Sequence, residues 1–159
     1  MANGSTFLYD ACVFYPNHLR DILMQLATTE LFAAKWTEQI HDEWMRNLRH
    51  NRPDIDTDKL ETLKQRINQS VPDCLIKDFE HIILLLDLPD PDDRHVLAAA
   101  IASNADVLLT VNLKDFPSSV LAQYEIEAQH PDDFITALLA VKPLRLIQAI
   151  QTIQTRLND

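Results

Sequence analysis

Glycine is almost absent from this chain, since Gly4 is the single glycine in 159 residues. A phosphate-binding P-loop, a dinucleotide-binding GxGxxG turn and the GxSxG turn of α/β-hydrolases all need backbone conformations that glycine adopts at least cost. None of these motifs occurs in the chain. Nucleotide-cradling loops and a hydrolase nucleophile elbow are therefore excluded.

Cysteine and long apolar runs are also scarce. Cys12 and Cys74 form no CxxC pair and stand in apolar surroundings, so we expect reduced thiols. HExxH is absent and the six histidines are scattered, so any metal should be held by oxygen. No apolar run is long enough to span a bilayer, and the first residues, MANGSTF, do not form a signal segment. We expect a soluble, cytoplasmic protein that does not contact a membrane.

Positive charge is in deficit, with 14 Lys and Arg against 24 Asp and Glu and a net charge of −10. This argues against a protein that holds nucleic acid through a strongly basic overall field. A local basic patch stays open, because Arg46, Arg49 and Arg52 cluster near the end of one predicted helix. The three arginines either form a solvated helix surface or guide a nucleic-acid backbone.

Strand and helix patterns alternate along the chain. Such alternation predicts a three-layer α/β/α sandwich with a mostly parallel central sheet. The length predicts one domain, over residues 1–141, with an amphipathic C-terminal helix over 142–159 packed on it. We predict strands at 6–9, 106–111 and about 124–128, helices at 19–26, 37–49, 57–69, 92 or 93 to 103, and 131 or 132 to 140, and an apolar run at 82–86 that is either helical or extended.

Several acids fall where this fold would gather them. Asp10 directly follows the first predicted strand, and Asn112 and Asp115 follow the strand DVLLTV. Glu43 lies on the shoulder of the apolar stripe of its helix, and Asp93 opens a helix that is apolar on nearly every face. Ligands of open parallel sheets bind outside the carboxyl ends of the strands. We therefore expect these side chains to meet at one edge of the sheet.

Each acid also has a purely structural explanation. Asp93 can serve as a first-turn acid of its helix. Glu43 can form an ion pair with Arg46 or Arg20. Asp115 can be a turn residue. Asp10 is the hardest of these acids to explain in this way, because a residue that only caps a helix does not need an apolar strand directly before it.

A bound cation would explain the acids together. Several carboxylates in one pocket repel one another, and the pKa of at least one would rise until it held a proton. Hard oxygen ligands suit Mg²⁺ or Mn²⁺, which would remove this repulsion. Such an ion can polarise a phosphoryl group or activate a water for attack.

Four stretches, taken in order, resemble the PIN-domain family of metal-dependent ribonucleases, and most closely its bacterial, toxin-like branch. They are DACVFYP, WTEQIHDEWMRNL, LPDPDDRHVLAAAI and LLTVNLKDFP. The resemblance implies that Asp10, Glu43, Asp93 and Asp115 bind Mg²⁺ or Mn²⁺ and are catalytic. It also implies endonucleolytic cleavage of RNA, and many bacterial relatives are toxins held inactive by an antitoxin protein.

Three residues leave the ligand set open. Some relatives carry an acid at the position of Asn112, so Asn112, Asp115 or both can serve the metal. Asp90 and Asp92, in the same DPDD run, are rivals of Asp93.

Two further residues, Cys12 and Thr110, stand close in sequence to these candidate residues. Cys12 stands where many members of the family have Asn or Ser, so a hydrogen bond there should be weaker. Thr110 either orients the loop after its strand or merely ends the strand, and we favour the second interpretation.

The main hypothesis is thus a metal-dependent endoribonuclease with RNA as substrate, and the resemblance implies the toxin of a toxin–antitoxin pair. The alternative is a catalytically silent PIN-fold module that binds a protein partner, which the low net basicity favours and the complete acid set opposes. A phosphatase with an aspartate nucleophile ranks last, because Cys12 stands where it would need a second Asp after Asp10. The apolar stripe of the C-terminal helix covers the core or faces a second subunit in a homodimer, and we favour the core.

Overall fold

Four parallel strands form one sheet in the computed structural model, which describes residues 4–157. The strands are β1 (Thr6–Tyr9), β2 (Ala33–Lys35), β3 (Val107–Leu109) and β4 (Glu127–Gln129). They lie in the order β2-β1-β3-β4, and Leu8 pairs with Leu108 across the two central strands. The chain runs from β1 outward to β2 and then crosses to the other side of β1. The strand order therefore reverses between β1 and β3, and their carboxyl ends flank the crevice where open sheets bind ligands.

Helices connect the strands. No helix within residues 4–157 is both long and apolar enough to cross a membrane. Single 3-10 turns occur at Pro91–Asp93, Leu113–Asp115 and Ala122–Tyr124. The α-helices of this part of the chain are α1 (Ala11–Phe14), α2 (Asn17–Ala27), α3 (Glu38–Asn51), α4 (Thr57–Ser70), α5 (Glu80–Ile83), α6 (Arg94–Ala102), α7 (Ser118–Leu121), α8 (Pro131–Val141) and α9 (Pro143–Leu157).

The sheet is covered on both faces. Phe7 and Tyr9 point to one face, because side chains alternate along a strand. The Phe7 ring lies 5.0 Å from that of Phe134 in α8, and the Tyr9 hydroxyl donates to the carbonyl of Leu23 in α2 at 2.9 Å. Helix α6 packs against β1 and β3, on the face to which Leu8 points. This confirms the predicted three-layer α/β/α sandwich around a parallel sheet.

Some predicted elements are shifted or were missed. Strand β2 has the sequence AAK, which carries no strand pattern of its own, and it forms by pairing with β1. Strand β3 ends at Leu109, earlier than predicted. Strand β4 begins only at residue 127, because Glu125 adopts a left-handed conformation (φ 58°) that ends the preceding turn. The apolar run at 82–86 contains the end of α5, and Leu84 and Leu85 then stand 83% and 77% exposed.

Helix α9 packs on α2 and α8 of the same chain. Leu146 and Ala149 are buried, whereas Leu144 is 71% and Ile147 is 44% exposed. One side of the helix therefore covers the core, and part of its apolar surface remains exposed. Residues 1–3 and 158–159 lie outside the described residues, so the division into 1–141 and 142–159 stays a prediction.

A polar network fixes α3 in place. The Asn68 side-chain oxygen accepts hydrogen bonds from Trp36 Nε1 at 2.9 Å and from His41 Nε2 at 2.8 Å. Trp44 Nε1 donates to His41 Nδ1 at 3.0 Å. A Trp ring nitrogen can only donate, so His41 carries its proton on Nε2. Burial lowers the pKa of His41. The network ties α3 to α4 and to the segment after β2.

We expect Asn68→Ala to lower the free energy of unfolding by about 2–6 kcal/mol, because two buried donors lose their acceptor and each costs about 1–3 kcal/mol when unpaired. Urea denaturation measures the effect. Gln65→Ala, at an exposed position of the same helix, should change stability by less than about 0.5 kcal/mol. Equal losses for the two variants would contradict the role of the network.

Candidate active site

Asp10 is a buried carboxylate at the carboxyl end of β1, with 3% of its surface exposed. Its Oδ1 accepts a hydrogen bond from the Ala11 backbone N–H at 2.7 Å, which caps α1. Its Oδ2 accepts a hydrogen bond from the Thr110 hydroxyl at 2.9 Å. Burial raises the pKa of Asp10, the charge of Glu43 adds to this, and the bond from Thr110 acts against it. The carboxylate is thus tied to both strands that flank the crevice.

Thr110 has a larger role than we predicted from the sequence. Its O–H group donates to Asp10, and its oxygen accepts a hydrogen bond from the Asn112 backbone N–H at 3.1 Å. The residue is fully buried. The favoured interpretation, that Thr110 merely ends its strand, is therefore wrong. Thr110 orients both the first acid and the loop that follows β3.

Cys12 also contacts this acid. Its sulfur lies 3.5 Å from Asp10 Oδ2 and 3.4 Å from the Thr110 hydroxyl, and it accepts a hydrogen bond from the Val111 backbone N–H at 3.4 Å. Burial, followed by the charge of Asp10, raises the pKa of Cys12 to about 12. The thiol therefore stays protonated and donates to the carboxylate over a long sulfur contact.

Glu43 contacts a histidine rather than an arginine. Its Oε1 lies 3.3 Å from His95 Nε2, and its side chain is 28% exposed. Arg20 instead donates to Asn17, 2.8 Å away. Among residues 4–157, neither Arg20 nor Arg46 forms an ion pair with Glu43. The structural explanation of Glu43 as the partner of an arginine is therefore wrong.

Sequence reasoning missed His95. It lies in the first turn of α6, where it is 94% buried, since 6% of its surface is exposed. Its Nδ1 has no hydrogen-bond partner in the described part of the chain. The tautomer with the proton on Nε2 donates to Glu43 and leaves Nδ1 as an unpaired acceptor. A signal was available, because His95 is the polar residue that interrupts an apolar helix two positions after Asp93.

Asp90 and Asp93, both in the DPDD run, have different roles. The Asp90 side chain accepts a hydrogen bond from the Asp92 backbone N–H at 2.9 Å and so caps the 3-10 turn that precedes α6. Asp93 stands at the N-cap position of α6, but its side chain forms no capping hydrogen bond. Capping therefore falls to Asp90. The half-buried carboxylate of Asp93 is left to interact with other groups.

The pKa of Asp93 is raised by several of the other acids. Its pKa rises from 3.8 to about 7, firstly because of burial and then because of four neighbouring carboxylates. Asp10 and Asp115 stand in the segments after β1 and β3, which are neighbouring parallel strands, and Glu43 and Asp93 line one cleft. These positions place the predicted acids at one edge of the sheet. In order of effect, the four neighbours are Asp10, Asp90, Asp115 and Glu43.

Two residues of the loop after β3, Asp115 and Asn112, lie near the other acids. Asp115 ends a 3-10 turn and is half-buried, and its charge acts on Asp93. Asn112 is exposed and lines a cleft together with Glu43 and Cys12. The structure thus places both residues beside the acids.

A cleft of about 640 Å³ opens next to these residues, and we call it the acidic cleft. Arg46 lies on its wall, whereas Arg49 and Arg52 do not line it. Arg52 instead pairs with Asp54 at 3.0 Å on the surface. The residues that line the acidic cleft include Gln39, Asp42, Glu43, Arg46, Asp90, Asp92, Asp93, Arg94 and His95.

The acids lie near one another, but their side chains are not arranged as a complete coordination shell of a metal ion. Within residues 4–157, no group of three or more His, Cys, Asp or Glu side chains is already arranged around one ion position. Nor does Asp10, Asp93 or Asp115 have an ion-pair partner in this part of the chain. These three acids thus lie at the crevice without a direct ion pair to any described residue.

Comparison with known proteins gives two matches. The sequence model of a family described as "PIN domain" matches residues 5–114, well over half of the chain. A stretch of 43 residues is 58% identical to "Putative ribonuclease VapC50" of Mycobacterium tuberculosis (strain ATCC 25618 / H37Rv). This stretch makes up 27% of this chain and 25% of the relative. The chain therefore spans about a quarter of the length of that relative. No solved structure matches the chain.

The raised pKa of Asp93 predicts a pH dependence of stability in metal-free protein. The folded state holds this proton up to about pH 7, whereas the unfolded chain releases it near 3.8. The folded state thus binds more protons between these values, and the free energy of unfolding falls as pH rises through them. Asp93→Asn, which cannot titrate, should gain stability relative to the wild type across this window. Denaturation in chelator at several pH values measures the difference, and a constant difference would contradict the assignment.

Proposed function

The chain belongs to the PIN-domain family, and from that premise we propose that it is a metal-dependent endoribonuclease. We propose Asp10, Glu43, Asp93 and Asp115 as its metal-binding and catalytic residues. The observation that carries this proposal is the gathering of these acids at one crevice, where Asp10 and Asp115 follow β1 and β3 and Glu43 and Asp93 line one cleft. Asn112, Asp90 and Asp92 are proposed as neighbours that bind the metal or support its ligands.

The donor set fits a hard divalent cation. The carboxylates provide oxygen ligands, and Asp10, Asp93 and Asp115 form no direct ion pair among the described residues. Mg²⁺ and Mn²⁺ prefer such ligands and need few protein contacts, since they retain several waters. A bound Mg²⁺ or Mn²⁺ would polarise a phosphoryl group and favour deprotonation of the attacking water.

The residues of the chain have separate tasks in this reaction. Asp10 is held in position by Thr110 and the start of α1. Arg46 lies on the wall of the acidic cleft and is proposed to contact an RNA phosphate, and Arg49 and Arg52 are proposed to guide more distant parts of the strand. Attack of water on phosphorus breaks the bond to O3′, which takes a proton. The products are a 3′-hydroxyl and a 5′-phosphate.

The partners of the chain are part of the proposal. RNA is the substrate, and the resemblance to the toxin-like branch supports an antitoxin protein as inhibitor. The alternative, a silent module that binds a protein, does not explain why Asp10 and Asp93 are kept close together at a cost in stability. The exposed apolar surface of α9 allows a homodimer as well.

We expect Asp10→Asn to abolish Mn²⁺-dependent cleavage of RNA while the protein stays folded. An asparagine oxygen can still accept from Ala11, and its amide can donate to Thr110. Loss of a buried charge whose pKa is raised also relieves repulsion, so the Tm in chelator should not fall. Cleavage of transfer RNA is assayed with Mn²⁺ and with chelator.

The matched control for this experiment is Asp58→Asn, which changes an exposed acid on α4. It should cleave RNA at the wild-type rate. Equal cleavage by Asp10→Asn and the wild type would indicate a contaminating nuclease and would favour the silent binding module.

His95 is proposed as a positioning residue that holds Glu43 through its Nε2–H group. His95→Leu should weaken Mn²⁺ binding about tenfold or more, the size reported for losing a group that orients a metal ligand. His95→Gln, whose side-chain N–H can reach a similar point, should restore most of the affinity. Titration of Mn²⁺ followed by electron paramagnetic resonance measures binding without RNA. Equal affinity of all three proteins would rule out the positioning role.

A further inference from the structure

A second cleft, of about 340 Å³, lies beside the acidic cleft and shares Glu43 with it. Its volume falls in the range of about 300–1,000 Å³ that small-ligand sites occupy. Ala11 and Trp44, both buried, lie beneath it. We call it the amide cleft, because three asparagines are among its remaining lining residues, which are Cys12, Tyr15, Asn47, His50, Asn51 and Asn112.

The two clefts differ in charge. Glu43 is the one carboxylate among the described residues that line the amide cleft, and none of these residues is a lysine or an arginine. The acidic cleft, in contrast, has several acids together with Arg46 and Arg94. A phosphate in the amide cleft would meet no fixed cation. The chemistry of this cleft therefore suits a neutral group with polar edges.

The amide cleft has unused hydrogen-bonding capacity. The side chains of Asn47, His50 and Asn112 form no hydrogen bond within residues 4–157. Asn51 Nδ2 donates to the Tyr15 hydroxyl at 2.7 Å, which leaves the Asn51 oxygen free to accept. Each amide group presents a donor and an acceptor side by side. This is the pattern that pairs with the edge of a nucleobase, as in the two-bond contact between asparagine and adenine.

The amide cleft lies next to the acids. Ala11 and Cys12, which line it, directly follow Asp10. Asn112 is held by the same Thr110 hydroxyl that donates to Asp10. An RNA strand with one phosphate at the acids would therefore bring a neighbouring base to this cleft. Single-stranded RNA is read through such exposed bases, by stacking on aromatic rings and by hydrogen bonds to their edges.

We propose that the amide cleft is a nucleobase subsite that selects the RNA sequence to be cut. The proposal rests on the proposed endoribonuclease function. Asn47 and Asn51 are four residues apart and so lie on one face of α3, where they bind the edge of the base. The ring of Tyr15, which is half-buried, provides a surface for stacking.

The test is cleavage of a pool of short RNAs of random sequence with Mn²⁺, followed by sequencing of the cut ends. The wild type should enrich one base at a fixed distance from the cut. Asn47→Ala and Asn51→Ala should each lower this enrichment about tenfold, as expected for loss of one base contact, and should still cut the pool. Gln65→Ala, on the exposed face of α4, should keep the wild-type enrichment. Circular dichroism and thermal denaturation check that each variant is folded.

Two results would overturn the proposal: a wild type without base preference, or the same preference in the wild type and both asparagine variants. A wild type that cuts no RNA would instead refute the endoribonuclease function. In that case, binding of four RNAs that differ in one base is measured by fluorescence anisotropy. Base-dependent affinity that is lost in Asn47→Ala supports the subsite, and equal affinities overturn it.

Discussion

Repulsion between carboxylates at the crevice between β1 and β3 is the constraint on which the site depends. Asp10 is buried there, and the charges of Asp10, Asp90, Asp115 and Glu43 act together on Asp93. The fold has to hold these groups against their own electrostatic energy. Hydrogen bonds from Ala11 and Thr110 hold Asp10 in place, and a contact with His95 holds Glu43.

The surrounding structure supplies the force that opposes this repulsion. Helix α6 is buried along most of its length against β1 and β3, so Asp93 and His95 cannot easily move away from the crevice. Helix α3 is anchored by the network around Asn68, which fixes the helix that carries Glu43. The hydrophobic core and a polar network thus hold the acids from two sides.

The layered fold and the location of the acids follow from the sequence pattern, because buried parallel strands and apolar helices have strong periodic signals. Helix α3 was predicted over 37–49, and in the structure the Thr37 hydroxyl caps it by accepting a hydrogen bond from the Ile40 backbone N–H at 3.0 Å. Strand β2 was not predictable, since its residues form a strand only through pairing with β1. The contact between His95 and Glu43 joins residues 52 positions apart, and no local pattern specifies such a pair.

The burial of the alanines in α6 affects how the distances between the acids can change. Ala98, Ala99 and Ala100 are fully buried, and a larger side chain in a closely packed core forces its surroundings to shift. We expect a larger residue at one of these positions to displace the helix, and with it the residues at its first turn. Substitutions deep in the interior can therefore adjust the distances between the acids in evolution, while every acid itself is retained.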